Sequence, residues 1–219
     1  MLGLLAWAYL LSGAGMPMPG MGGAPGFLTV AIMWCVMMIA MMVPAAFPTI
    51  LLYARVHRHS KGLDPAPPTG AFLAGYLVCW LGFALVAAGL QIWIIAPTSI
   101  ALTSDGAAGA LLLGAGVYQL SPFKTACLSR CRSPAIFLSR HFRPGALGAF
   151  RLGILHGAYC VGCCWLLMAL LFVSGVMNLF WVVTLTILVA AEKLLPGGPW
   201  ISRMAGIGMV VGGAALFLG

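Results

Sequence analysis

The sequence predicts an all-α fold: one integral membrane domain over residues 1–219, a polytopic transmembrane helical bundle of about six to seven spans. Composition is the first reason. Of its residues 63% are hydrophobic and only 6% are charged, where soluble domains carry roughly 25% charged residues. The second reason is arrangement. The apolar residues gather into runs near the ~20 residues needed to cross a bilayer, and no polar stretch between them is long enough to fold alone. The net charge of +8 does not point to nucleic acid, because the basic residues flank the apolar runs. The lipid bilayer is the expected partner.

The first run, Met1 to Ser12, is short and lacks a basic leader and a clear cleavage site. It reads as part of a first span, tilted and stopping early or preceded by missing sequence. The second span is Phe27 to Tyr53, the third Gly70 to Ile95 and the fourth Ile100 to Leu120. The fifth is Ala146 to Phe172, the sixth a short Met177 to Ala191, and the seventh Trp200 to Leu218. Pro44 and Pro48 lie inside the second span. Each removes a helical hydrogen bond, so a kink and freed carbonyls near Ala40 and Pro44 are expected. Gly75, Gly82 and Gly89, the pair Gly153 and Gly157, and the pair Gly208 and Gly212 predict close helix packing.

Charge orients the spans. All 11 Lys and Arg residues fall in, or at the ends of, the connections after spans two, four and six. By the positive-inside rule those connections are cytoplasmic. Glu192 is the single glutamate, and an intramembrane carboxylate needs a partner. Lys124 or Arg151 is the expected one, since the adjacent Lys193 points to another face.

Chemistry concentrates in the fifth span. His156, Cys160, Cys163, Cys164 and Met168 are spaced to share one helical face. Thiolate, thioether and imidazole suit Cu(I), and thiolate with imidazole also suits zinc or an iron–sulfur centre. The bland alternative is that Cys and His are ordinary packing residues there. In the second span, Met33, Met37 and Met41 lie four apart, flanked by Met38 and Met42. Five methionines in ten residues exceed ordinary gap-filling, though packing remains the rival reading. On the outer side Met16, Met18 and Met21 sit in a Pro/Gly-rich stretch, either a thioether collecting site or a plain linker. On the inner side Cys127 and Cys131 lie among Lys124, Arg130 and Arg132, cations that would favour thiolate. They are an inner exit site or two free thiols in a reducing compartment. His57, His59 and His141 read as solvated interfacial residues. Seven cysteines, an odd count, oppose a disulfide framework. No phosphate loop, catalytic triad or paired carboxylates appear, so the chain is not expected to be an enzyme.

The stretches WCVMMIAMMVPAAFP, YQLSPFKTACLSRCRSP and HGAYCVGCCWLLMALLFVSGVMNLFW, with a late Glu192-Lys193, together resemble a prokaryotic family of predicted metal-binding integral membrane proteins, a domain of unknown function. The resemblance runs from about Trp7 to Leu195, and the short first span departs from a full family-like opening. It implies metal binding without a reaction. The matching positions are Met37, Met38, Met41, Met42, Cys127, Cys131, Cys160, Cys163, Cys164, Met168, Asn178 and Glu192.

The expectation is a membrane protein that binds a soft metal, foremost Cu(I), for uptake, transfer or storage, with a cytoplasmic metal acceptor. Thioethers outside and thiols inside would make affinity rise inward. Two rivals stand beside it. One is an accessory subunit of a membrane complex such as a copper-dependent oxidase or monooxygenase. The other is a membrane thiol oxidoreductase using Cys160 and Cys163.

Overall fold

In a computed structural model, residues 2–12, 26–61, 66–93, 105–143, 145–174 and 178–218 are described. These described residues form ten helices and no strand. In chain order the helices are α1 (Leu2–Leu11), α2 (Phe27–Lys61), α3 (Ala66–Trp93), α4 (Asp105–Leu120) and α5 (Pro122–Arg132). There follow α6 (Pro134–His141), α7 (Ala146–Ala169), α8 (Leu171–Ser174), α9 (Leu179–Leu194) and α10 (Gly198–Leu218).

Four helical segments are long and apolar enough to cross a membrane: Phe27–His59, Pro67–Trp93, Ala146–Val173 and Gly198–Leu218. The six to seven expected spans are thus reached only in part. α4 and α9 have 16 residues each and α1 has 10. At 1.5 Å per residue, 16 residues reach about 24 Å, short of a ~30 Å hydrocarbon core. Hydropathy alone joins α4 to residues 100–104, which lie outside the described residues, as do Met16, Met18 and Met21.

α2 runs unbroken through Pro44 and Pro48. Pro44 has no N–H to give the Ala40 carbonyl. Trp7 on α1 fills the gap, its Nε1 donating to Ala40 O at 2.9 Å. The expected free carbonyl is therefore satisfied by a neighbouring helix.

α3 packs along α7, and α4 along α10. In the first pair the backbones nearly touch. A Cβ on Gly153 would run into Phe72 O, and one on Gly75 into Phe150 O. Gly82 faces nothing within 4 Å, so the predicted seven-residue glycine stripe is not one contact surface. Likewise Gly208 is open, and Gly206 and Gly213 make the close α4–α10 approach instead. Gly153→Leu should therefore force α3 from α7. Overpacking costs about 1–3 kcal/mol even where side chains can yield, and here backbone must move. Loss of folded protein in detergent, set against an unaffected Gly82→Ala, is the check.

The connection after α4, expected as a basic loop, is two helices. Ser121 caps α5, its side chain accepting from Lys124 N, and Pro122 stands at the first turn. Pro134 ends the run, because the residue before a proline avoids helical backbone. Asn178, one of the matched positions, is structural. It caps α9 by accepting from Phe180 N at 3.2 Å.

Candidate metal centre

The main core contains the sulfur residues together. Met33, Met37, Met38, Met41 and Met42 of α2 and Cys160, Cys163, Cys164 and Met168 of α7 are all buried in one cluster. The shared helical face predicted for α7 is thus directed inward, toward α2. The close sulfur contact between these helices uses Met42 rather than Met37 or Met41: Cys164 Sγ is 3.9 Å from Met42 Sδ.

Cys127 and Cys131 pack at the edge of this cluster. They were expected as a separate inner site among solvated cations. Instead Cys131 packs against the cluster that holds Cys160 and Cys163, and Cys127 Sγ lies 3.1 Å from where a Cβ on Gly162 would stand. Burial pushes the Cys127 thiol up, Cys163 adds to this, and Arg130 opposes. Bonds to Cys160 and Cys163, then burial, push the Cys131 thiol well above its ordinary range. The flanking arginines therefore do not hold these two as thiolates, and a metal captured there must displace a proton.

Cys160 is the centre of the hydrogen bonding. Cys163 Sγ and Cys164 Sγ both donate to Cys160 O, at 3.1 and 2.9 Å. Lys193 Nζ of α9 donates to Cys160 Sγ at 2.8 Å. Tyr76 Oη of α3 lies 3.0 Å from the same sulfur and also 3.0 Å from Met42 O. Lys193 and Tyr76 escape a reading of the sequence alone. A signal for Lys193 is nevertheless present, since a buried ammonium beside an already paired carboxylate needs an anion of its own.

Glu192 and Lys193 diverge as their adjacent positions on a helix require. Glu192 Oε2 is 2.7 Å from Lys124 Nζ, the first of the two expected partners. Gln119 Nε2 donates to Glu192 Oε1 at 2.7 Å, and Lys124 donates to Gln119 Oε1 as well. Arg132 donates to Glu192 O and, at 3.0 Å, to Pro196 O. α9 thus holds α5 with one residue and reaches α7 with the next.

His156 is buried among aromatic rings, with Phe137, Tyr76 and Phe72 centroids 5.3, 5.8 and 5.9 Å away, and its Nδ1 has no partner. The structure therefore supports an aromatic cage for it more directly than ligation. His57, expected to be solvated, is also buried with an unpartnered Nδ1, because it folds against Tyr53. His141 Nδ1 bonds Phe137 O at 3.0 Å, and His59 is exposed.

Among the described residues, no group of three or more His, Cys, Asp or Glu side chains that could hold a metal ion occurs. A closed tetrahedral site of the structural zinc type is thus not formed. The donors that do converge are thiols and thioethers, which fit a soft monovalent ion of low coordination number. All seven cysteines are free.

No curated protein and no solved structure matches the chain. A family model described as PpoB2, copper chaperone, matches residues 31–216, a stretch that holds every sulfur ligand named above except the outer methionines. With that match covering most of its length, the chain belongs to the PpoB2 copper chaperone family.

Proposed function

We propose that this protein is a membrane-embedded Cu(I) carrier. It receives copper in the sulfur cluster between α2, α5 and α7 and passes it to an acceptor on the cytoplasmic side of a prokaryotic inner membrane. The observation that carries this reading is one buried cluster that joins Cys160, Cys163 and Cys164 to the methionines of α2, with Cys127 and Cys131 packed against it. The family description supports copper as the cargo. Four apolar helices of spanning length, with exposed leucines and valines such as Leu4, Val86, Val117 and Val211 around them, support a place in lipid.

The merging of the two cysteine groups changes the expected route. Copper need not step from a mid-membrane site to a separate inner one, since Cys131 packs against the cluster that holds the α7 thiols. The acceptor then takes copper from the α5 side, where Arg130 and Ser129 are exposed. The protein acts as a carrier and transforms no substrate.

The test is copper content of cells and of the purified protein. Expression should raise cell copper above an empty vector, and the protein should retain Cu(I) through purification. An exposed cysteine introduced as Ser139→Cys should resist a membrane-impermeant reagent added to intact cells. Labelling from outside would reverse the orientation. Stoichiometric co-purifying chains without bound copper would favour an accessory subunit. A titratable Cys160–Cys163 disulfide without copper would favour a thiol oxidoreductase.

A further inference from the structure

Among the described residues, Lys193 is a charged side chain with no carboxylate of its own. Glu192, the nearest acid in sequence, is engaged by Lys124, with Gln119 on its other oxygen. Lys193 is 7% exposed and Cys160 is 2% exposed. A buried ammonium without an anion is strongly unfavourable. In this core the atom that meets it is Cys160 Sγ, 2.8 Å away. The sulfur also faces the Tyr76 hydroxyl at 3.0 Å. The Tyr76 proton is shared between this sulfur and Met42 O, so Lys193 is the charged donor to Cys160, which suits a centre bearing negative charge.

Cu(I) held by two thiolates carries a net charge of minus one, and two ligands satisfy it. We infer that Lys193 is the fixed counter-charge of the cargo site, and that the loaded state is a two-coordinate, anionic Cu(I) bis-thiolate of Cys160 and one neighbouring thiol, neutralised by the Lys193 ammonium. The inference rests on the carrier reading above and specifies its site.

Loading balances simply. Cys160 sulfur, paired with the ammonium, binds Cu(I). The S–H bond of the second cysteine, Cys163 or Cys131, breaks and its proton leaves to water. Two Cu–S bonds form, and no electron is transferred. The copper complex and the ammonium together are neutral, which a low-dielectric interior favours. Lys193 is a positioning residue in this scheme, since it touches the ligand and not the metal.

The experiment uses the full chain in detergent, loaded anaerobically with Cu(I) alone and titrated with a colorimetric Cu(I) chelator. Lys193→Met should weaken copper binding at least about tenfold, as loss of a buried charge contact predicts. Lys193→Arg, which restores charge, should recover to within about threefold of the parent. Copper X-ray absorption of the parent should show two sulfur neighbours. Binding by Lys193→Met as tight as the parent would overturn the inference, as would three or more sulfur neighbours in the parent. An arginine variant as weak as the methionine variant would also overturn it, because charge would then not be the operative property. Should Lys193→Met not fold, Lys193→Gln replaces it, and the absorption measurement on the parent decides independently. The two readings fail separately. A parent that takes up no Cu(I) removes the carrier function. Copper lost on changing Cys160 and Cys163 but kept on changing Lys193 removes only the counter-charge.

Discussion

Changing Cys160 and Cys163 together to serine is expected to abolish most copper retention. Even outer-shell partners of a metal ligand are worth roughly 10- to 100-fold in affinity, so removing two sulfur donors should exceed about 100-fold. The residual donors would be Cys164, Cys131 and the Met42 thioether, and thioethers hold Cu(I) more weakly than thiolates. Serine at 163 can still donate to the residue-160 carbonyl, as Cys163 does at 3.1 Å, but serine at 160 takes the sulfur from Lys193, so copper is compared on the folded fraction of each protein. Metal analysis of the purified variant against the parent is the measurement. Full copper content in a folded variant would take the site away from α7. Met42→Leu is the companion change. It keeps bulk but removes the sulfur 3.9 Å from Cys164 Sγ, and should lower affinity while leaving stability nearly unchanged.

The second large effect is expected at Glu192. Glu192→Ala would leave the Lys124 ammonium, which is 0% exposed, without its carboxylate. Removing one partner of a buried ion pair costs about 3–5 kcal/mol. Earlier thermal unfolding of the copper-free protein would report it. The same change removes one of the ties between α5 and α9 and leaves Arg132 on the residue-192 and Pro196 carbonyls, so copper affinity should fall by less than stability does. Replacing the pair by apolar residues, Lys124→Met with Glu192→Leu, should restore much of the stability, since neither residue then strands a charge. An alanine variant that melts with the parent would contradict the pairing.

Helix content, apolar helices of spanning length and the inward α7 face were legible because each depends on local periodicity. Cys160, Cys163 and Cys164 lie within five residues, and helical geometry alone places them side by side. The Lys124–Glu192 pair was legible from scarcity, as a lone buried carboxylate must find a cation. Three things were not. Cys131 packs against the α7 thiols' cluster because α5 is a helix fixed by Ser121, Glu192 and Arg132, and no spacing reports that. Lys193 does face away from Glu192, as adjacency on a helix requires, but where a diverging side chain goes is decided by the packing of α9 on α7. The glycine stripes misled for the same reason: Gly75 meets Phe150 while Gly82, two turns on, meets nothing within 4 Å, because crossing helices touch over a limited length.

The bond from Trp7 to Ala40 O gives α1 a role its length does not suggest. α1 has only 10 residues, and a deletion series would rank it as dispensable. Its removal, however, would bare a carbonyl one residue before Met41, inside the helix that carries the methionines. With neither a proline N–H nor an indole to meet it, that oxygen would draw in water or the nearest hydroxyl at the depth where thiols await a desolvated cation. Trimming away α1 would then act as a leak in the insulation around this sulfur core, and its first symptom would be weaker copper retention in a protein that still folds.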